Sequence, residues 1–457
     1  MIRLLVLATF VVILNETIMI NAIPRLMTAL SITEQTAQWL STAFMLTMAA
    51  VIPITGWFLQ RVSTRTAYAT AMGLFLLGTA LAAVAPTFEV LLAARIIQAS
   101  GTAVMMPLLM TTLMHVVPES SRGRVMGGVS LAISVAPAMG PTISGLILGF
   151  GSWRLLFAVV LPIAALVTWR GLAQLQNVGE PRAGTIDWFS VVTAAAGFGG
   201  LVYGLSRFEG GDAGVAAGIV AAGLATIAVF VLRQLVLQRR GVPLVDLRTL
   251  RHRTYTIALI MMSVAFMAML GSMVLLPLYL QNVRSFSPLE TGLLVMPGGL
   301  AMGLLGPAVG RLFDKFGGRV LVVPGAIGIM LSLAGFTQIT MTTPYWQLLA
   351  LHALLSISLA ATFTPVFTLG LGAVPPSLYS HGSSILSTLQ QVAAAIGTAL
   401  VVTVMSARSA ALRASGVTDL LADLGGMRLA FVIGAVLSVA VVITAILLPS
   451  RAAPVKE

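Results

Sequence analysis

Two charged side chains stand deep inside apolar runs, and any chemistry must start from them. Glu16 lies 12 residues beyond Leu4 in the first such run, roughly 18 Å along a helix. Arg95 lies six residues past Glu89, roughly 9 Å in from the opposite side if successive runs alternate in direction. Across an apolar slab of about 30 Å these two depths coincide. Of the 14 acidic residues only Glu16 is deep, and of the cations only Arg95. A charge at mid-bilayer costs about 2.5–3.5 kcal/mol or more, so it needs a partner or a water-filled cavity. Burial disfavours a carboxylate and a neighbouring guanidinium favours it, so an acid held between the two can load and release a proton. The alternative is a fixed ion pair that only ties two helices together. Function is the default reading of an intramembrane ionisable residue, and proton coupling through Glu16 and Arg95 is the expectation.

The elements that position this pair follow from composition. The chain has 457 residues, 58% hydrophobic and only 9% charged. Too few charges exist to cover a water-soluble surface, so lipid must be the solvent for much of the chain. There is no cysteine, which excludes disulfides and thiol chemistry. Apolar runs of about 20 residues between polar or Pro/Gly breaks give fourteen spans: 4–24, 39–60, 66–85, 89–117, 122–150, 154–174, 187–206, 213–236, 254–281, 288–312, 318–339, 345–371, 379–407 and 427–449. The first run continues past Glu16 with no small-residue cleavage site, so it reads as a span and not a signal peptide. It opens almost at Met1, which leaves room for a few cytoplasmic residues ahead of it. With the N-terminus in the cytoplasm, 18 of the 26 Lys and Arg fall inside and seven outside. That bias follows the positive-inside rule and places both termini in the cytoplasm.

Two loops look alike. Gly56-Trp-Phe-Leu-Gln60-Arg61-Val-Ser-Thr-Arg65 follows the second span, and Gly310-Arg-Leu-Phe-Asp314-Lys-Phe-Gly-Gly-Arg319 follows the tenth. Short cytoplasmic loops often carry Gly and Arg, but these stand at corresponding places in two six-span sets. Internal repeats of this kind recur in secondary transporters. The expected organisation is a first bundle over 1–174, two inserted helices with their linkers over 175–253, and a second bundle over 254–457.

On these loops the sequence resembles the major facilitator superfamily. Within it the chain is similar to the fourteen-span drug:proton antiporters, including lincomycin-efflux-like members. The resemblance implies an all-α fold of two six-helix bundles and export by alternating access. It also implies a multi-pass protein of a bacterial cytoplasmic membrane that works as a monomer on small lipophilic compounds and protons. The family's loop Asp, which latches neighbouring helices, is matched by Asp314, while Gln60 stands in its place in the first copy. Asn15-Glu16-Thr17-Ile18 resembles the family's first-span motif, where many members have Asp at the position of Asn15. The acid has moved one place to Glu16, about 100° around the helix. Arg95-Ile-Ile-Gln98-Ala-Ser-Gly101 resembles the fourth-span motif, whose Arg is implicated in proton transfer. Pro137-Ala-Met-Gly140-Pro141-Thr-Ile-Ser-Gly145 resembles the signature that separates exporters from uptake symporters.

Polar or adaptable residues that could line a cavity are Asn15, Asn21, Gln98, Gln281, Gln390, Gln391, Met262 and Phe266. For each the alternative is a local helix–helix contact or core filler. His352 and His115 read as structural. No Gly-Lys pair exists, so no phosphate-binding loop of the nucleotide-hydrolysing kind is encoded. No metal-ligand cluster and no nucleophile–base set is evident, so neither cofactor nor enzymatic activity is expected. Nucleic acid is not an expected partner, and membrane lipid is. Rival functions left open are an uptake symporter for a nutrient, a dedicated self-resistance exporter of one antibiotic, and an uncoupled scramblase or membrane enzyme.

Overall fold

The computed structural model describes residues 1–19, 22–178, 184–209 and 213–451. The described residues are helical, with no strand among them. In chain order the helices are α1 (Ile2–Ile18), α2 (Ile23–Leu30), α3 (Glu34–Arg61), α4 (Thr64–Val84), α5 (Phe88–Val116), α6 (Arg122–Gly149), α7 (Arg154–Gln174), α8 (Trp188–Ser206), α9 (Ala213–Arg239), α10 (Arg253–Leu278), α11 (Pro288–Phe316), α12 (Arg319–Phe336), α13 (Tyr345–Gly372), α14 (Tyr379–Ala414) and α15 (Asp419–Leu447).

Twelve of these helical stretches are long and apolar enough to cross a membrane unaided. Two bent pairs bring the number to fourteen. α1 and α2 meet at 61°, and the fifth span bends by 42° between Pro137 and Thr142. The first span is therefore a broken one and not the single helix expected over 4–24. Pro24 suits the first turn of α2, where its missing N–H has no helical partner to lose. The second bend falls on Pro137 and Pro141, as the removal of helical hydrogen bonds demands. Large apolar side chains such as Phe150, Leu304 and Ile443 remain exposed on the outside, which suits lipid. Some helix starts carry side-chain caps: Thr33 accepts from the Thr36 amide, Ser63 from the Thr66 amide, and Ser287 and Glu290 form a reciprocal box at α11.

The pair α8–α9 packs on itself and leans on α3 and α14. Its lower ends are tied by a polar cluster. Arg233 donates to both oxygens of Asp187 at 3.1 and 3.0 Å. Buried Gln234 donates to Ser190 at 2.7 Å and accepts from the amides of Leu244 and Val245 at 2.8 and 3.1 Å. One side chain thus fixes the linker to α10. Gln234→Ala strands two buried amides and is expected to cost about 1–3 kcal/mol. The readout is the melting midpoint of the purified protein; an unchanged midpoint would refute this anchoring role.

Candidate functional site

α1 packs against α5, α6 and α7. At the level of Glu16 it is bonded to α6: Ser144 donates to the Ile18 carbonyl at 2.8 Å, and Thr17 reaches the Ala136 carbonyl at 3.5 Å. Gly140 lets this happen. A Cβ there would sit 2.7 Å from the Thr17 Cβ, so the exporter-like segment has a packing task against the helix that bears Glu16. Gly145 faces open space instead, and Pro137 is half-buried. Of Pro141 only the backbone is described.

Glu16 is half-buried and Arg95 is enclosed, only 1% exposed. Among the described ion pairs none joins them. The tight structural ion pair considered from sequence is therefore not what forms. Arg95 instead donates to Gln98 at 2.6 Å, and Gln98 donates to Thr79 at 2.8 Å. The guanidinium carbon lies 4.1 Å over the Phe44 ring, a cation–π contact strengthened where water is excluded. One guanidinium nitrogen, Nε, is buried without a partner, as are both amide atoms of Asn15 and the Ser134 hydroxyl. These partners orient the cation, and among the described residues Glu16 makes no hydrogen bond or ion pair.

Seven of the eight proposed cavity residues lie among the described residues, and their surroundings differ. Gln98 is taken up by Arg95 and Thr79 between α4 and α5. Gln281 is exposed in a π-turn after α10, and Met262 is wholly enclosed. Phe266 stacks on Phe363 at 5.2 Å. Gln390 is buried with its amide nitrogen unpaired, and Gln391 beside it is half-buried. Asn21 lies outside the described residues.

A second group of contacts joins α1–α7 to α10–α15. Asp314, in the last turn of α11 and not in the loop beyond it, accepts from the amides of Gly123 and Arg124 at 2.8 Å each. It thus caps α6 with a negative charge at the positive end of the helix dipole. Gln60 donates to the Ser377 carbonyl at 2.9 Å, so the first loop also reaches across, through a neutral amide. Thr111 bonds Ser383 at 2.8 Å, Ser130 bonds Thr364 at 2.7 Å, and Ser384 donates to the Ile52 carbonyl at 2.7 Å. Gly123 meets Gly310, and Gly127 meets Gly306, backbone to backbone. Among the described residues, every side-chain hydrogen bond between these two sets lies toward the end that carries the two basic loops. Arg61 stacks near Trp57 at 5.7 Å, the Arg65 amide donates to Asn177 at 3.2 Å, and Arg319 opens α12. Sequence reasoning missed Phe44, Thr79 and the polar run Ser380-His-Gly-Ser-Ser384. That run, at the start of an apolar span, was the available signal.

A helical protein with twelve to fourteen candidate spans, bonded across its two halves toward one end and with an acid in its first span that has no partner among the described residues, has the form of a membrane carrier. Comparison with known proteins agrees. A family model of the Major Facilitator Superfamily matches residues 5–398. The chain is 38% identical to the uncharacterized MFS-type transporter YcnB of Bacillus subtilis, covering 95% of this chain and 92% of that protein. It is 37% identical to the lincomycin resistance protein LmrB of Listeria innocua, covering 94% and 92%. In fold it is similar to the human organic anion transporter MFSD10, with a TM-score of 0.66 at 16% identity over 96% of this chain and 98% of that one. The chain belongs to the major facilitator superfamily and fits its drug-efflux branch. It is a transporter and not an enzyme.

Proposed function

We propose that this protein is a proton-coupled antiporter that exports small lipophilic drugs or toxic compounds by alternating access. The six-span bundles 1–174 and 254–457 rock about a shared centre, with the inserted pair of 175–253 alongside. It resides in a bacterial cytoplasmic membrane with both termini in the cytoplasm, and acts as a monomer. The observation that carries this reading is geometric: Glu16, within the first span, has no hydrogen-bond or ion-pair partner among the described residues, on a helix packed against α5, which bears the enclosed Arg95. Protonation of Glu16 from outside competes with substrate, and release inside resets the carrier. Arg95 biases that equilibrium. Asp314 and the facing glycines latch the cytoplasmic end between cycles. Similarity to the lincomycin resistance protein of Listeria innocua supports export over uptake.

The test is transport of a lipophilic dye in inverted membrane vesicles with an imposed pH gradient, acidic inside. Dye is expected to accumulate in the vesicles, and a protonophore is expected to abolish accumulation. Accumulation that survives the protonophore would remove proton coupling. Exclusion of dye, with accumulation instead in intact energised cells, would point to uptake.

A further inference from the structure

The linker between α9 and α10 builds a charged feature that export does not use. Gln234 fixes Leu244 and Val245, and the next residue, Asp246, is only 2% exposed. Asp246 accepts from the Arg248 amide at 2.9 Å and from its guanidinium at 3.0 and 2.6 Å. Burial alone would push the Asp246 carboxyl up; the Arg248 bonds and the charges of His381 and Arg248 outweigh it and hold it below the usual range. Arg248 is thereby engaged. The short 3-10 helix Leu247–Arg251 that follows leads into a cavity of about 380 Å3. Its walls are Arg248, Arg251, His252, Pro375, Ser377 and Leu378. Neither the Arg251 nor the His252 side chain has a hydrogen-bond or ion-pair partner among the described residues.

Charge is lopsided here. Between positions 239 and 253 stand Arg239, Arg240, Arg248, Arg251 and Arg253, against Asp246 alone. The crevice lies between the end of α9 and the start of α10, hence at the membrane surface. Its far wall is the turn before α14, whose Ser377 carbonyl receives the Gln60 bond from the other bundle. Basic loops that merely fix topology need no walled crevice and no particular residue. Here a buried scaffold presents two unpaired basic side chains and an exposed Ser377 to one space.

We propose that this crevice binds the phosphate headgroup of an anionic phospholipid, bridging the α9–α10 linker and the Pro375–Leu378 turn. The ligand chemistry is a phosphate monoanion. The location favours lipid over free phosphate, because anionic headgroups are concentrated at that surface and each basic group there gains about fivefold in affinity.

The experiment uses the purified full-length chain in detergent, titrated with phosphatidylglycerol, phosphatidylcholine or inorganic phosphate, with the melting midpoint as readout. Phosphatidylglycerol is expected to raise the midpoint saturably, and phosphatidylcholine is not. Arg251→Gln should weaken the apparent affinity about fivefold, and Arg251→Gln with His252→Gln further. Both residues are solvent-accessible, so the midpoint without lipid should not change. Arg408→Gln, an exposed cation at the other end of α14, should leave the response intact. Equal stabilisation of wild type and the double variant would overturn the site. Inorganic phosphate matching phosphatidylglycerol at equal concentration would overturn the lipid assignment.

Discussion

Glu16→Gln is expected to abolish proton-driven export while leaving the protein folded. The amide has the shape of the protonated acid and cannot release a proton, so the carrier loses its coupling step. A single charge moving through 100 mV supplies about 2.3 kcal/mol, enough for a substrate ratio of about fiftyfold. The variant should bring that ratio to unity in inverted vesicles. Substrate exchange without a gradient should persist, because closure itself does not need the acid. Among the described residues Glu16 has no hydrogen bond or ion pair to lose on substitution, so the melting midpoint should hold or rise. Proton release on substrate addition, measured in weakly buffered detergent solution, should vanish in the same variant. Full export by Glu16→Gln would end the proposed role.

The spans were legible because lipid leaves one requirement, about 20 apolar residues; among the described residues twelve helices meet it alone and two bent pairs bring the number to fourteen. Boundaries shifted where a distant partner extends a helix. α14 runs on to Ala414 because Arg413 finds Asp419 at 2.8 Å and Asp423 at 2.5 Å across the hairpin. Read in sequence, those charges looked like a loop. The similar depths expected of Glu16 and Arg95 came from rise per residue alone. What the guanidinium bonds to could not be read that way, because it depends on which side chains lie beside it. Here a local signal was available: Gln98 lies three residues from Arg95, on the same helical face. Reading it as cavity lining overlooked its nearer use. The bonds that close one end join residues 190 or more positions apart, such as Arg124 and Asp314 or Thr111 and Ser383. No periodicity reports those. Gln60 is instructive in the same way: it departs from the Asp expected there, yet it still crosses to Ser377 through an amide.

Gly310→Leu is expected to hold the basic end open and to stall transport. A Cβ at Gly310 would lie 2.7 Å from the Gly123 carbonyl carbon and 3.1 Å from the Arg124 Cα. Both are backbone atoms of α6, so no rotamer can relieve the clash and the helices must part. Overpacking costs about 1–3 kcal/mol. Parting also pulls Gly123 and Arg124 away from Asp314, and hydrogen bonds to a charged group are worth about 1.5–3 kcal/mol each. A shift of about 3 kcal/mol moves a two-state balance by more than a hundredfold. The open state should therefore dominate, and export should fall at least tenfold. Asp314→Asn keeps the shape and removes the charge, so it should slow the cycle less and leave substrate preference unchanged. The chain has no native cysteine, so a single cysteine at Ser383, buried against Thr111, reports the state directly. It should resist an impermeant maleimide applied from the basic side in the wild-type background and react in Gly310→Leu. If labelling stays equally low in both and transport is normal, closure does not depend on this crossing. Unchanged transport in Asp314→Asn would separately remove the charged latch while leaving the glycine contact standing.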